Sequence, residues 1–136
     1  MPKALYFSLM VGLGGFAGAL ARYGLSLVCQ RGSIVFPLGT LSANLLGCLF
    51  IGIIAQLAAE TNWIPPALRL LLATGFCGGF TTLSAFAFET AQFAKSAEWF
   101  LAGAYVLATL IGAVLAFALG SLLIVLLLKG PGALWN

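Results

Sequence analysis

The order of apolar and polar residues divides the chain into four long hydrophobic runs separated by short polar connectors. The runs extend from about Leu5 to Cys29, Phe36 to Ala59, Pro66 to Phe93 and Trp99 to Leu128. A helix needs roughly 20 apolar residues to cross the hydrocarbon core of a bilayer, and each run exceeds that length. The connectors read Gln30-Arg31-Gly32-Ser33, Glu60-Thr61-Asn62-Trp63 and Lys95-Ser96-Ala97-Glu98. Pro37, Pro65 and Pro66 fall at helix starts, where a missing N–H costs little. Trp63, Trp99 and Trp135 fall at run ends, where aromatic side chains anchor at the lipid–water boundary. The pattern predicts an all-α membrane protein with four transmembrane helices in one domain covering residues 1–136. No soluble domain, long linker or low-complexity tail interrupts it. Lys3 and the Ala19-Leu20-Ala21 triplet give the first run a likeness to a secretory signal, but its many glycines and the three runs that follow favour a retained first helix.

Composition sharpens this picture. Hydrophobic residues make up 62% of the chain and charged residues 7%, against roughly a quarter charged in soluble domains. Most side chains must therefore meet lipid, and the lipid bilayer is the first partner. The formal charge of +3 belongs to connectors and head groups; without a basic patch it points to no nucleic acid. There is no His and only three acids, so zinc hydrolysis, His-based triads and paired-carboxylate chemistry lack their parts; the chain is not expected to be an enzyme. Cys29, Cys48 and Cys77 are too widely spaced for a metal or disulfide pattern and read as small apolar fillers. Gly12 to Ala17 matches a loose dinucleotide fingerprint, but no strand precedes it and the next acid is Glu60, so the match is chance.

Charge placement bears on assembly. With four spans, Lys3, Arg69 and Lys129 lie on one side, and Arg31 and Lys95 on the other, with Arg22 near the end of the first span. The positive-inside rule then gives almost no preferred orientation. A chain that inserts both ways up can form a dual-topology homodimer of antiparallel subunits; the alternative is a fixed orientation set by some other feature. Small residues recur every fourth position at Ala104, Ala108, Gly112, Ala116 and Gly120, at Gly14 and Gly18, and at Ala43 and Gly47. Such stripes let helices approach closely. Either they pack within one subunit or some of them lie at a dimer interface; the second is expected here, because four helices have little interior.

Several polar groups fall inside the spans. Asn44, with Thr40 one turn before it, needs partners or a wet cavity. It is either interhelical glue or the lining of an aqueous pathway, where its NH₂ offers donors to an anion. Tyr105 and Thr109 form a similar pair on the fourth run, with interhelical hydrogen bonding as the plainer reading. The middle of the third run, from Thr74 to Thr82, holds three glycines and three threonines, a poor helix interior. It predicts a third helix broken at the membrane midplane, around Gly78-Gly79; a mere kink is the alternative. Loose backbone at that depth lines a cavity or is buried in protein, and unwound carbonyls can hold a hard cation such as sodium. Beyond the break, Leu83, Phe86 and Glu89 share a helix face. Glu89 lies about 12 Å further on, near the interface, where a carboxylate is tolerable. Arg22 either snorkels or attracts anions into a vestibule.

These residues carry a resemblance. Gly14 to Tyr23 is similar to the GGxxGAxxR stretch of the Fluc/CrcB family of small fluoride channels, Gly39 to Gly47 to its GTLxxNxxG, and Gly75 to Phe86 to its GFCGGxTTFSTF. The resemblance covers nearly the whole chain, with the three motifs in order. It implies an antiparallel dual-topology dimer with two pores in the bacterial inner membrane, exporting fluoride passively. It implies a structural sodium ion held by the carbonyls of Gly78 and Thr81. The fluoride path would involve Asn44, Thr40, Ser84, Tyr105, Thr109, Arg22 and the phenylalanine-box positions Leu83 and Phe86, since ring edges carry positive charge toward an anion. The chain departs from the pattern at Leu83, where the family has Phe, at Ala85, where it has Thr, and at Ala87, where Ser is common. A Leu at the first box position fits a slow channel, or a non-conducting partner in a pair with a paralogous subunit. A proton-coupled exporter of the small multidrug type would need a carboxylate in the first helix, and there is none.

Overall fold

The computed structural model describes residues 2–30 and 36–130. Arg31, Gly32 and Ser33 of the first connector and the anchor Trp135 lie outside the described residues. Helix α1 is Lys3–Gln30 and α2 is Leu38–Glu60. The third span has two helices: α3, residues 66–80, and α4, Leu83–Lys95. The last helix, α5, is Trp99–Lys129. Four segments are long and apolar enough to cross a membrane: Lys3–Cys29, Leu38–Glu60, Pro66–Lys95 and Trp99–Lys129. The expected runs are reproduced with their ends moved by a few residues. Pro37 precedes α2, and Pro66 opens α3 in its first turn. The chain reverses between α4 and α5 through Ala97, whose φ is 59°.

The exterior is the inverse of a soluble protein. Leu13, Phe16 and Leu20 on α1 and Leu107, Ile111 and Val114 on α5 all face outward. The fully buried residues are Ala43, Cys77 and Tyr105, and the polar Thr40, Asn44 and Thr109 are nearly as deep, beside Phe80 and Ile124. This is the distribution of a chain whose solvent is hydrocarbon; the protein is a multi-pass membrane protein. Trp63 and Trp99 are exposed at segment ends, as interfacial anchors require.

Packing follows the small-residue stripes, and their glycines are used within the chain. A Cβ at Gly120 would collide with the Leu49 carbonyl, one at Gly112 would press on the Leu45 side chain, and one at Gly52 would meet the Phe117 carbonyl. The glycines of the α5 stripe therefore seat α5 on α2 inside one subunit. Gly14 and Gly18 likewise seat α1 on α3, and Gly47 receives Thr81. These glycines serve helix contacts within the chain, because only glycine lets the backbones come so close, while Ala108 of the α5 stripe stays exposed.

Helix α3 is not regular. Residues Leu70–Cys77 form a π-helical stretch between the α-helical pieces Pro66–Arg69 and Gly78–Phe80. The wider winding swings α3 against α1, where Gly75 meets Gly14 and Val11 and Gly79 meets Gly15. Short π segments in helices accompany functional sites, and this one leads directly into the break.

Candidate functional site

The third span is broken, but at Thr81-Thr82 and not at the Gly78-Gly79 pair. Thr81 (φ −81°, ψ 156°) and Thr82 (φ −150°, ψ 110°) are extended, whereas Gly78 keeps helical angles. Threonine chemistry makes the break. The N–H and the hydroxyl of Thr81 both donate to the Cys77 carbonyl, each at 2.9 Å, closing α3. The hydroxyl of Thr82 accepts from the Ala85 N–H at 3.2 Å and caps α4, as an N-cap threonine does. Ser84 lies beside that cap, its hydroxyl 3.1 Å from that of Thr82. The glycines serve another purpose, which is to allow the close approach of α1.

Two side chains reach the break from neighbouring helices. Asn44, on α2, pairs with one residue of main chain: its Oδ1 accepts from the Thr82 N–H at 2.7 Å and its Nδ2 donates to the Thr82 carbonyl at 3.3 Å. The second N–H of its amide is not needed for that pair. Arg22, on α1, donates from Nε to the Gly79 carbonyl at 3.2 Å. In an uninterrupted helix the Gly78 carbonyl would accept from the Thr82 N–H, and the Thr81 carbonyl from the Ala85 N–H. Asn44 and the Thr82 hydroxyl have taken those donors. Two carbonyls are thereby released from the helical ladder at membrane depth, at Gly78 and Thr81. Among the described residues no group of three or more His, Cys, Asp or Glu side chains converges. Main-chain oxygens of this kind are ligands that a hard cation accepts.

A second cluster lies toward the far end of α4. Glu89 accepts from the Thr40 hydroxyl at 2.7 Å through Oε1 and from the Tyr105 hydroxyl at 2.6 Å through Oε2. Three helices thus meet at one carboxylate. Charge-assisted hydrogen bonds of this kind are roughly twice as strong as neutral ones, which explains how an acid is tolerated there. Tyr105 is held in turn by an aromatic cage. Phe36 and Phe93 meet its ring nearly edge to face, at 80° and 75°, and Phe86 is tilted at 54° with ring centroids 5.1 Å apart. An open cavity of about 480 Å³ reaches this cluster, lined by Ser26, Phe36, Gly39, Thr40, Glu89 and Phe93 among others. One turn beyond Tyr105 on α5, Thr109 is only 6% exposed and its hydroxyl has no hydrogen-bond partner.

The residues singled out from the sequence therefore separate into groups. Thr40, Tyr105 and Phe86 come together around Glu89. Asn44, Ser84, Arg22, Gly78 and Thr81 gather at the break. Leu83 points outward, 76% exposed on the single subunit, and Thr109 is sealed in the interior. Glu89 is the site residue that sequence reasoning misses. The available signal is that it is the one acid inside the four apolar runs; its two hydroxyl partners, on other helices, supply the rest.

The chain matches the family model described as CrcB-like protein, Camphor Resistance (CrcB), over residues 9–121. Among similar proteins, the fluoride-specific ion channel FluC of Chlorobium phaeobacteroides (strain BS1) is 44% identical over 120 residues, covering 88% of this chain and 94% of the relative. That of Prosthecochloris aestuarii is 46% identical over 112 residues, covering 82% and 88%. That of Sorangium cellulosum is 47% identical over 111 residues, covering 81% and 87%. With the matched region running from the first glycine stripe through the break to the end of the α5 stripe, the chain belongs to the CrcB family.

Proposed function

We propose that this chain is a fluoride-selective ion channel of the bacterial inner membrane that lets fluoride leave the cell passively. The observation that carries the reading is the set of polar groups buried between the helices, Asn44, Thr40, Tyr105 and Thr109, with the Phe86 ring beside them, in a chain whose relatives are named as fluoride-specific channels. An anion leaving water needs compensating donors. The cavity reaches Thr40 and Glu89, the buried Tyr105 hydroxyl lies behind them on Glu89, the unpartnered Thr109 hydroxyl lies one turn further along α5, and the spare Asn44 N–H and the Ser84 hydroxyl stand near the break. Phe86 packs on Tyr105, and Leu83 lies beside the break and points outward. Fluoride is small and strongly hydrated, so a narrow path of closely spaced contacts is the chemistry it needs. No bond is made or broken, and the reading is of a channel and not an enzyme.

Assembly is the second part of the proposal. Leu83, Ser84 and Gly78 are exposed on the isolated subunit, which would leave the break facing lipid. A second copy inserted the other way up would cover it, in line with the balanced Lys/Arg count. A structural sodium ion, not transported, would then be held by the Gly78 and Thr81 carbonyls of each subunit. The bound cation would supply positive charge to the four released dipoles. The test of the channel reading is purified protein in liposomes loaded with fluoride. A potassium ionophore and no proton gradient should suffice for rapid fluoride loss measured by a fluoride electrode. Loss that requires a proton gradient would indicate an exporter, and loss only after adding a paralogous subunit would indicate a paired channel.

A further inference from the structure

Arg22 lies one turn past Gly18 on the stripe Gly14-Gly18-Arg22, the face by which α1 packs on α3. Gly14 meets Leu71 and Gly75, and Gly18 meets Phe76 and Phe80, at separations that no Cβ would allow. The register of that contact delivers the next residue of the stripe to the last turn of α3. There the Nε of Arg22 donates to the Gly79 carbonyl at 3.2 Å, across 57 residues of sequence. In an unbroken helix this carbonyl would accept from the Leu83 N–H. With the Gly79 carbonyl held by α1 and both main-chain groups of Thr82 held by Asn44 of α2, the short Phe80–Thr82 stretch is gripped at both ends from two directions. The helix cannot reclose without giving up both sets of bonds.

We infer that Arg22 is the positioning residue of the break, acting through its Nε–H on the Gly79 carbonyl and not by drawing anions toward the pore with its charge. The choice of atom makes this testable. The Nε of arginine and the Nε2 of glutamine are both bonded to Cδ, so Arg22→Gln keeps a donor at the same point of the side chain and removes the charge. Arg22→Met keeps similar bulk there without a donor. Arg22→Lys keeps the charge but moves the donor one atom further out. A positioning role ranks the variants Gln, Lys, Met in falling order, whereas anion attraction ranks Lys first and treats Gln and Met alike.

The first readout is amide hydrogen exchange of the protein in lipid nanodiscs, which does not depend on fluoride conduction. Arg22→Met should speed exchange more than tenfold in peptides covering residues 80–85 and leave the middle of α5 unchanged, while Arg22→Gln should stay within about threefold of the parent. The second readout rests on the fluoride-channel reading. Efflux through Arg22→Met should fall at every fluoride concentration with the half-saturating concentration unchanged, and Arg22→Gln should retain most of the flux. Equal exchange in the Met variant and the parent overturns the inference. So does a rise in half-saturating fluoride shared by Gln and Met and absent from Lys, and so does global unfolding common to all three variants. If the parent itself passes no fluoride, the channel reading fails while hydrogen exchange still decides the role of Arg22.

Discussion

Replacing Asn44 by Asp alters one atom of the side chain and tests the break and the anion path together. In the parent, Oδ1 accepts the Thr82 N–H at 2.7 Å and Nδ2 donates to the Thr82 carbonyl at 3.3 Å. The aspartate side chain would keep the first bond and turn the second into an oxygen–oxygen contact. Losing one hydrogen bond costs about 1 kcal/mol of stability, too little to unfold a protein whose helices are otherwise intact. The charge matters more. A carboxylate about 4 Å from a passing fluoride raises its energy by about 4 kcal/mol at an effective dielectric constant near 20. At roughly 1.4 kcal/mol per tenfold, passage slows by about a thousandfold. The side chain also loses the spare N–H that an anion could use. Asn44→Asp should therefore elute as a folded oligomer and show almost no efflux in the fluoride-electrode assay. Asn44→Ala, which removes the clamp without adding charge, should be less stable yet conduct better than the Asp variant. Efflux from Asn44→Asp at the parent rate would remove Asn44 from the pathway, and a lower rate in Ala than in Asp would place its effect in the break alone.

Three further outcomes follow from the geometry. Leu83→Phe restores a ring with a positive edge at an exposed position and should raise fluoride efflux several-fold at matched dimer content, while Phe86→Ile should lower it; an unchanged rate in the first with loss in the second would make Leu83 a packing residue only. Tyr105→Phe deletes the 2.6 Å bond to Glu89 and should cost about 1.5–3 kcal/mol of stability, read by thermal or denaturant unfolding in detergent, with Thr40→Val showing coupling to it in a double-mutant cycle. Two added lysines in the Lys95–Glu98 connector should move a C-terminal reporter from both sides of the membrane to one, whereas a single orientation in the parent would exclude the antiparallel homodimer.

The sequence and the structure agree most where one solvent decides the pattern. The four spans are legible because hydrocarbon demands an unbroken apolar run with every backbone group paired internally. The existence of a break is legible for a partly wrong reason. The glycines between Gly75 and Gly79 flag a weak helix, but the structure uses them to bring α3 against Gly14, Gly15 and Gly18. The break belongs to Thr81 and Thr82, whose hydroxyls close one helix and cap the next. Side-chain capping in a membrane span leaves no periodic trace, and neither does the π-helical stretch Leu70–Cys77. Glu89 reads as an acid near the interface because its spacing along α4 is visible in the sequence and its partners are not. Thr40 and Tyr105 are 49 and 16 residues away, and only tertiary packing brings them to it. The small-residue stripes leave open, in sequence, whether they pack within one subunit or at a second one; α2 takes the α5 glycines, and helix–helix approach leaves the same pattern whichever helix answers it.

The central claim is selective passive conduction of fluoride. The direct measurement is the reversal potential of purified protein in a planar bilayer with fluoride at unequal concentrations across it and chloride in large excess on both sides. The account predicts a reversal potential at the fluoride equilibrium value, unmoved when chloride is replaced by a large anion and unmoved by a pH difference. A reversal potential that follows chloride or protons would contradict it.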